Sequence, residues 1–543
     1  MPQSIQHLVK RPVATLPFTD GRTCKDWLKL LPVTNIVQTQ QIIHEALREM
    51  GRGQLASLER LTCLELMREK VAYLQAEQRA RFSGKTIPLS HGDMMAWETS
   101  RTLVESMETG YRGCFDEATG GASDLAAHLA LVIQRIMRYI GLQMLFSGMI
   151  YRRFDPVLWA RLHQLWVEAE GRHLTLVRVK DSVGSVEGTS SVTEAYTAIL
   201  LARMANVHEL APRQIDFVDA LLKRFSAKVT IESDPVACGT GPLLCVDLFG
   251  TEGVSVRVGE EAVDHLRFLN MAELSLSLRR RIAKLQVGEP PVNLNLPTEW
   301  TAQEILPQMW RLHRIWCEGI VTRRSGIVPR ETGATLAFGI NETHYFVTGD
   351  VFEQPGKKRE LTRQELNDIA MFGKISETTM RARYADFNFA TETWGVVEEG
   401  RGYVRLMRPS NSTRGVAIGR LVGVRLGEGG MVLLSVVREI VQELDGAILA
   451  VLGLLPGKPE AVAVSRPPDL RTHPGTQYLQ GLRLPAMPSL KEPESLFVPA
   501  GLTQPGRTTE IVPHGQYAGV QLKLGDFAER GADFDRFIVL EAN

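Results

Sequence analysis

Cysteine is scarce in this chain. Six thiols in 543 residues, scattered at Cys24, Cys63, Cys114, Cys238, Cys245 and Cys317, are too few for a disulfide scaffold and predict a reducing compartment. An excess of either charge is also missing. Lys plus Arg and Asp plus Glu are both 62, so there is no global basic field to hold nucleic acid, and any anion site must be local. The opening MPQSIQHLVKRPVATLPF lacks the apolar core of a signal peptide. The longest apolar stretch, residues 140–150, is broken by Gln143, Ser147 and Gly148 and bounded by Arg138 and Arg152. It predicts no transmembrane segment, and together these absences predict a cytoplasmic protein.

Catalytic signatures are missing too. H-E-x-x-H, G-x-S-x-G and G-x-G-x-x-G do not occur, and the Gly84-Lys85-Thr86 end of a phosphate loop has Arg79 where the first glycine should stand. Cys238 and Cys245 have six residues between them and no neighbouring histidine, a poor zinc spacing. The expectation is a protein without catalysis, metal or cofactor.

The content that remains is 44% hydrophobic, enough to bury a large core, and the length predicts several domains. Residues 1–26 read as an extended lead-in. Across 27–227 apolar residues recur at three- and four-residue intervals: Leu55, Leu58, Leu61 and Leu64, then Ile133, Ile136, Ile140 and Met144. That is the pattern of amphipathic helices on a common core. Asp155 before Pro156, and Ser191 three residues before Glu194, mark helix starts.

Residues 228–318 read as a small mixed α/β segment: strands over 228–258, a helix over 263–285 ending in Arg279, Arg280, Arg281 and Lys284, and a linker helix opened by Thr301 and Glu304. From 319 to 466 the runs turn to β, at Val328, 334–340, 344–347 and then 394–464, with a polar insertion over 353–392 holding a short helix at 363–371. Residues 467–543, Pro-rich and then β, are expected to add strands to that module or pack against it.

The order of the later runs resembles the PilZ domain, the bacterial receptor module for cyclic di-GMP. The matching pieces are 397–402, 403–407, 419–425, the Val-Val-Arg strand at 432–438, and 448–455. In that family an R-x-x-x-R element precedes the first strand and a [DN]-x-S-x-x-G turn faces the ligand. Arginine suits this ligand because its guanidinium forks onto phosphate, stacks on purines and pairs with guanine. Here the segment ahead of the first strand reads TRRSGIVPR at 322–330, with Arg323, Arg324 and Arg330 as the carried-over donors but no pair at i, i+4 spacing. The turn reads VEEGRG at 397–402; Gly402 matches, and Glu399 stands where the motif has serine. A second register, 410–415, keeps Ser412 and Gly415 but displaces the strands that follow.

The fold class expected is multidomain α+β: an all-helical N-terminal domain, a mixed α/β segment, and a PilZ-like antiparallel β-barrel with additional strands. The resemblance implies a non-enzymatic bacterial regulatory effector. It would bind cyclic di-GMP at Arg323, Arg324, Arg330 and Gly402 and relay it to a protein partner through the helical domain. The alternative is an adaptor in an envelope or motility assembly that no longer binds nucleotide.

Overall fold

The computed structural model describes residues 16–53, 55–121, 123–239, 242–257, 263–320, 326–327, 333–356, 361–374, 376, 379, 391–412, 414–466 and 478–540. The chain forms two compact units, one of residues 1–85, 89–207 and 212–322, the other of 86–88, 208–211 and 323–543.

The first unit is built on long helices: α1 (Ser57–Phe82), α2 (His91–Thr119), α3 (Leu129–Met149), α4 (Val192–Met204) and α5 (Pro212–Phe225). α1 packs on α2, α2 on α3, α3 on α4 and α4 on α5. Local signals set their ends as predicted. Asp155 accepts from the Val157 amide with Pro156 at the first helical position, Ser191 accepts from the Glu194 amide, and Thr301 and Glu304 form a reciprocal capping box.

Helix α3 extends beyond the predicted apolar stretch. By length and composition it could cross a membrane, yet 72% of its apolar window is buried inside this unit. It carries Arg135 and Arg138 among its apolar residues.

The mixed segment departs from expectation at one element. Residues 263–285 are not one helix: Leu266–Asn270 is a strand, and the helix is Ala272–Gln286. The strand lies between Thr230–Glu232 and Leu243–Asp247 in a four-stranded antiparallel sheet. Pairing on both sides outweighs the local helical pattern. Only Lys284 of the basic cluster falls in the helix's last turn. Arg281 instead bonds Ser277 and the Leu294 carbonyl and stacks on Phe225 at 4.9 Å.

The second unit contains two closed antiparallel barrels. The first is formed by β1 (Gly333–Phe338), β2 (Glu392–Gly400), β3 (Tyr403–Met407), β4 (Leu421–Leu426), β5 (Leu433–Gln442) and β6 (Ile448–Leu454). The second is formed by β7 (Glu460–Ser465), β8 (Tyr478–Leu484), β9 (Ser495–Pro499), β10 (Thr508–Pro513), β11 (Val520–Arg530) and β12 (Phe534–Leu540).

One expectation is resolved here and one is corrected. Of the alternatives for the C-terminal runs, the second holds: strands within 478–540 add nothing to the first barrel but, with β7, close a ring of their own that packs against it. The residues predicted as a strand at 344–347 lie in helix α6 (Gly339–Thr348). Gly339, at φ +84°, turns the chain directly out of β1, and Glu342 reaches back to accept from the Phe338 amide at 3.1 Å. The helix in the insertion, α7 (Arg363–Phe372), forms as predicted behind a Thr362 and Glu365 capping box.

In the second barrel, β7 and β9 read as continuous apolar runs because they bury both faces. Val462, Val464, Leu496 and Val498 fill its own core. Alternate residues such as Ala461 and Phe497 join Phe534, Ile340 of α6, and Leu421, Leu434 and Val436 of the first barrel in one shared cluster. A polar clamp runs beside it: Asp533 accepts from the Leu421 amide at 2.9 Å, and the Ala532 amide donates to the Gly419 carbonyl at 2.8 Å.

Candidate functional site

A site for a phosphate-bearing ligand on the first barrel needs donors ahead of β1 and a turn that approaches them. Of the segment 322–330, Gly326 and Ile327 are described; Arg323, Arg324 and Arg330 lie outside the described residues. Ile327 forms an antiparallel bridge with Glu399 of β2, its amide donating to the Glu399 carbonyl at 2.8 Å and the Glu399 amide donating back at 2.9 Å. Gly326 lies so close to β2 that an added Cβ would stand 2.5 Å from the Glu399 carbonyl oxygen, a contact only glycine tolerates.

The stretch expected to be a six-residue turn is mostly strand. Gly400 pairs with Tyr403, leaving Arg401 and Gly402 as the loop, and the register shifts between Val396 and Glu398. Gly402 has φ +78° and open space where a side chain would project. The bulge re-aims the neighbouring side chains. Glu398 accepts from Arg405 at 2.8 Å and from the Tyr403 hydroxyl at 2.5 Å, so its charge is compensated. Glu399 is exposed.

In the second register, several described side chains are engaged within the protein. Arg408 donates to the Ser412 and Arg414 carbonyls at 2.6 and 3.1 Å, Ser412 donates to Glu392 at 2.5 Å, and Arg414 pairs with Glu342 at 3.0 Å. That loop satisfies itself. His344 of α6 is buried, and burial, with His514 adding a smaller effect, pushes its imidazole down to about 4. It packs edge-on against Phe352.

Sequence reasoning did not anticipate a buried ionic cluster in the first unit. Arg135 forks onto Glu65, both contacts at 2.8 Å, and Arg68 donates to Asp181 at 2.6 Å. Gln134 also donates to Asp181, at 2.9 Å, and Arg138 stands 3.2 Å from it. Burial alone would raise the two carboxyls. The guanidinium charges and hydrogen bonds, from Arg135 and Arg68 on Glu65 and from Arg138, Arg68 and Arg135 on Asp181, outweigh burial and hold both below their ordinary values. The available signal was Arg135 and Arg138, three apart in an otherwise apolar helix.

The fold defines a multidomain α+β protein with a helical unit and two antiparallel barrels. Residues 22–236 match the family described as the cyclic-di-GMP receptor FimW, N-terminal domain, and residues 466–538 match the FimW C-terminal beta-barrel domain. The cyclic-di-GMP receptor FimW of Pseudomonas aeruginosa is 22% identical over 548 aligned positions, covering 92% of this chain and 88% of the relative. No solved structure matches. The chain is similar to FimW over most of its length, and the resemblance to cyclic-di-GMP receptors drawn from strand order is borne out.

Proposed function

We propose that this chain is a cytoplasmic, non-enzymatic regulatory effector that binds cyclic di-GMP at the head of the first barrel and needs no cofactor. Arg323 and Arg324 supply the guanidiniums for phosphate and guanine, Arg330 a further donor, and the Arg401 and Gly402 turn the facing edge. The observation that carries this reading is the Ile327 to Glu399 bridge, which brings the arginine-bearing segment to the strand that runs into that turn. The name of the Pseudomonas aeruginosa relative supports it. A protein partner, contacted through the helical unit, receives the signal.

Isothermal titration of the full chain with cyclic di-GMP tests this. Saturable heat is expected, lost when Arg323 and Arg324 are both alanine. Absence of heat from the unsubstituted chain overturns it in favour of a nucleotide-free adaptor.

A further inference from the structure

Helices α1, α3, α4 and α5 of the first unit surround a cavity of about 300 Å³, the size at which small-molecule sites begin. Small residues make the room: Ala72 and Ala76 of α1, Gly141 of α3, and Ala198 and Ala202 of α4. Aliphatic groups such as Val71, Leu142, Ile199 and Val218 line its walls.

The polar groups on the wall are unevenly compensated. Arg79 and Lys223 both face Asp219, at 3.6 and 3.4 Å, and Arg79 also pairs with Asp216, so two cations there meet two carboxylates. Arg68 and Arg138 line the wall beside Gly184 and belong to the buried cluster. There, three guanidiniums (Arg68, Arg135, Arg138) meet two carboxylates (Glu65, Asp181) among the described residues. The phenols Tyr111 and Tyr139 add no negative charge, because burial lifts both well above their ordinary value.

The cluster therefore carries one surplus positive charge, and Arg138 is its least-served member. It donates to the Ser190 hydroxyl at 3.2 Å and stands 3.2 Å from Asp181, a carboxylate it shares with Arg68 and Arg135, while 18% of its side-chain surface stays open. One carboxylate shared among three guanidiniums leaves room for a further anion, which a ligand can supply. On α1, Arg68 and Arg79 are eleven residues apart, roughly 16 Å along the axis.

A mostly apolar space with a guanidinium cluster on its wall matches a molecule with one anionic head and one alkyl tail. We propose that this cavity binds a single-chain carboxylate of the fatty-acid class, its head on Arg138 and its tail along Ala72, Gly141, Ala198 and Ala202. Cyclic di-GMP is a poorer match, since its two phosphates and two guanines would meet mostly aliphatic walls. The site is independent of the barrel reading.

Titration of the full chain with dodecanoate below its micellar concentration is expected to show saturable binding at one site per chain. Dodecan-1-ol, which keeps the tail and lacks the charge, binds roughly tenfold or more weakly, and Arg138→Met weakens dodecanoate by a similar factor. Ala202→Phe fills the space and abolishes dodecanoate binding, with cyclic di-GMP binding and thermal unfolding unchanged. No saturable binding by the unsubstituted chain overturns the proposal, as does undiminished binding by Ala202→Phe. Loss of cyclic di-GMP binding in Ala202→Phe reassigns the cavity to the nucleotide and overturns it too. Failure of cyclic di-GMP to bind any form bears on the barrel site alone.

Discussion

The two barrels share one strand ring and differ in what is attached to it. In each, three successive strands form a meander, the third pairs with the sixth, and the fourth closes on the first. The first barrel is entered through the segment 322–330 with its three arginines; the second is entered through LPGKP at 455–459, with one lysine and two prolines. Between its first two strands the first barrel holds α6 and α7, where the second has only residues 466–477. The ring supplies a scaffold, and ligand chemistry resides in the segments at its mouth.

The largest effect expected on this pairing is at the cluster both barrels share. Phe534, fully buried there, should cost about 3–5 kcal/mol when replaced by alanine. Hydrogen exchange should then show β5 of the first barrel losing protection along with β9 of the second. Loss confined to the second barrel would mean that the rings are energetically separate. Next is the difference in ligand chemistry. Arg323→Ala with Arg324→Ala should weaken cyclic di-GMP binding on the order of 100-fold or more, two charged hydrogen bonds being lost, while Lys458→Ala at the second barrel's entry changes nothing. Equal losses in calorimetry would erase the distinction between the barrels.

Helix α6 has no counterpart in the second barrel, and its His344 gives a pH signature. The imidazole is held neutral in the fold, its value depressed from 6.5 to about 4, so unfolding takes up a proton. Stability is complete above about 6.5 and declines as pH falls toward about 4, by about 3 kcal/mol in all. The urea midpoint of the second unit should drop between about pH 7.5 and about pH 5, and His344→Phe should remove that share of the drop. The smallest effect is at the ion pair joining the rings. Arg438 forks onto Glu529 at 2.5 and 2.8 Å but is 39% exposed, so Arg438→Ala should cost about 0.2–1 kcal/mol in a denaturant titration.

How much of this was legible depended on whether the signal was local. The capping residues Asp155, Ser191 and Thr301 announced their helices because a cap is a contact within a few positions. The strand order of the first barrel was legible from Gly and Val punctuation. The strand Leu266–Asn270 was not, because what makes it a strand is two partners elsewhere in the chain. Nor was α6: HYFV alternates as a strand would, and only packing against β4, β8 and β1 makes it helical. The closure of the second ring was hidden because it depends on β7 pairing with β10 about fifty positions away, a pairing that local pattern does not show. At the candidate site, the arginine segment was found by its place ahead of the first strand in the PilZ resemblance, whereas the Ile327 bridge to Glu399 is a contact across 72 positions that spacing cannot express.

The junction between β1 and α6 contains no loop. Phe338 ends the strand and Gly339 begins the helix. A displacement of the strand's end is therefore handed within two residues to Ile340, which is wedged into the floor shared with the neighbouring ring.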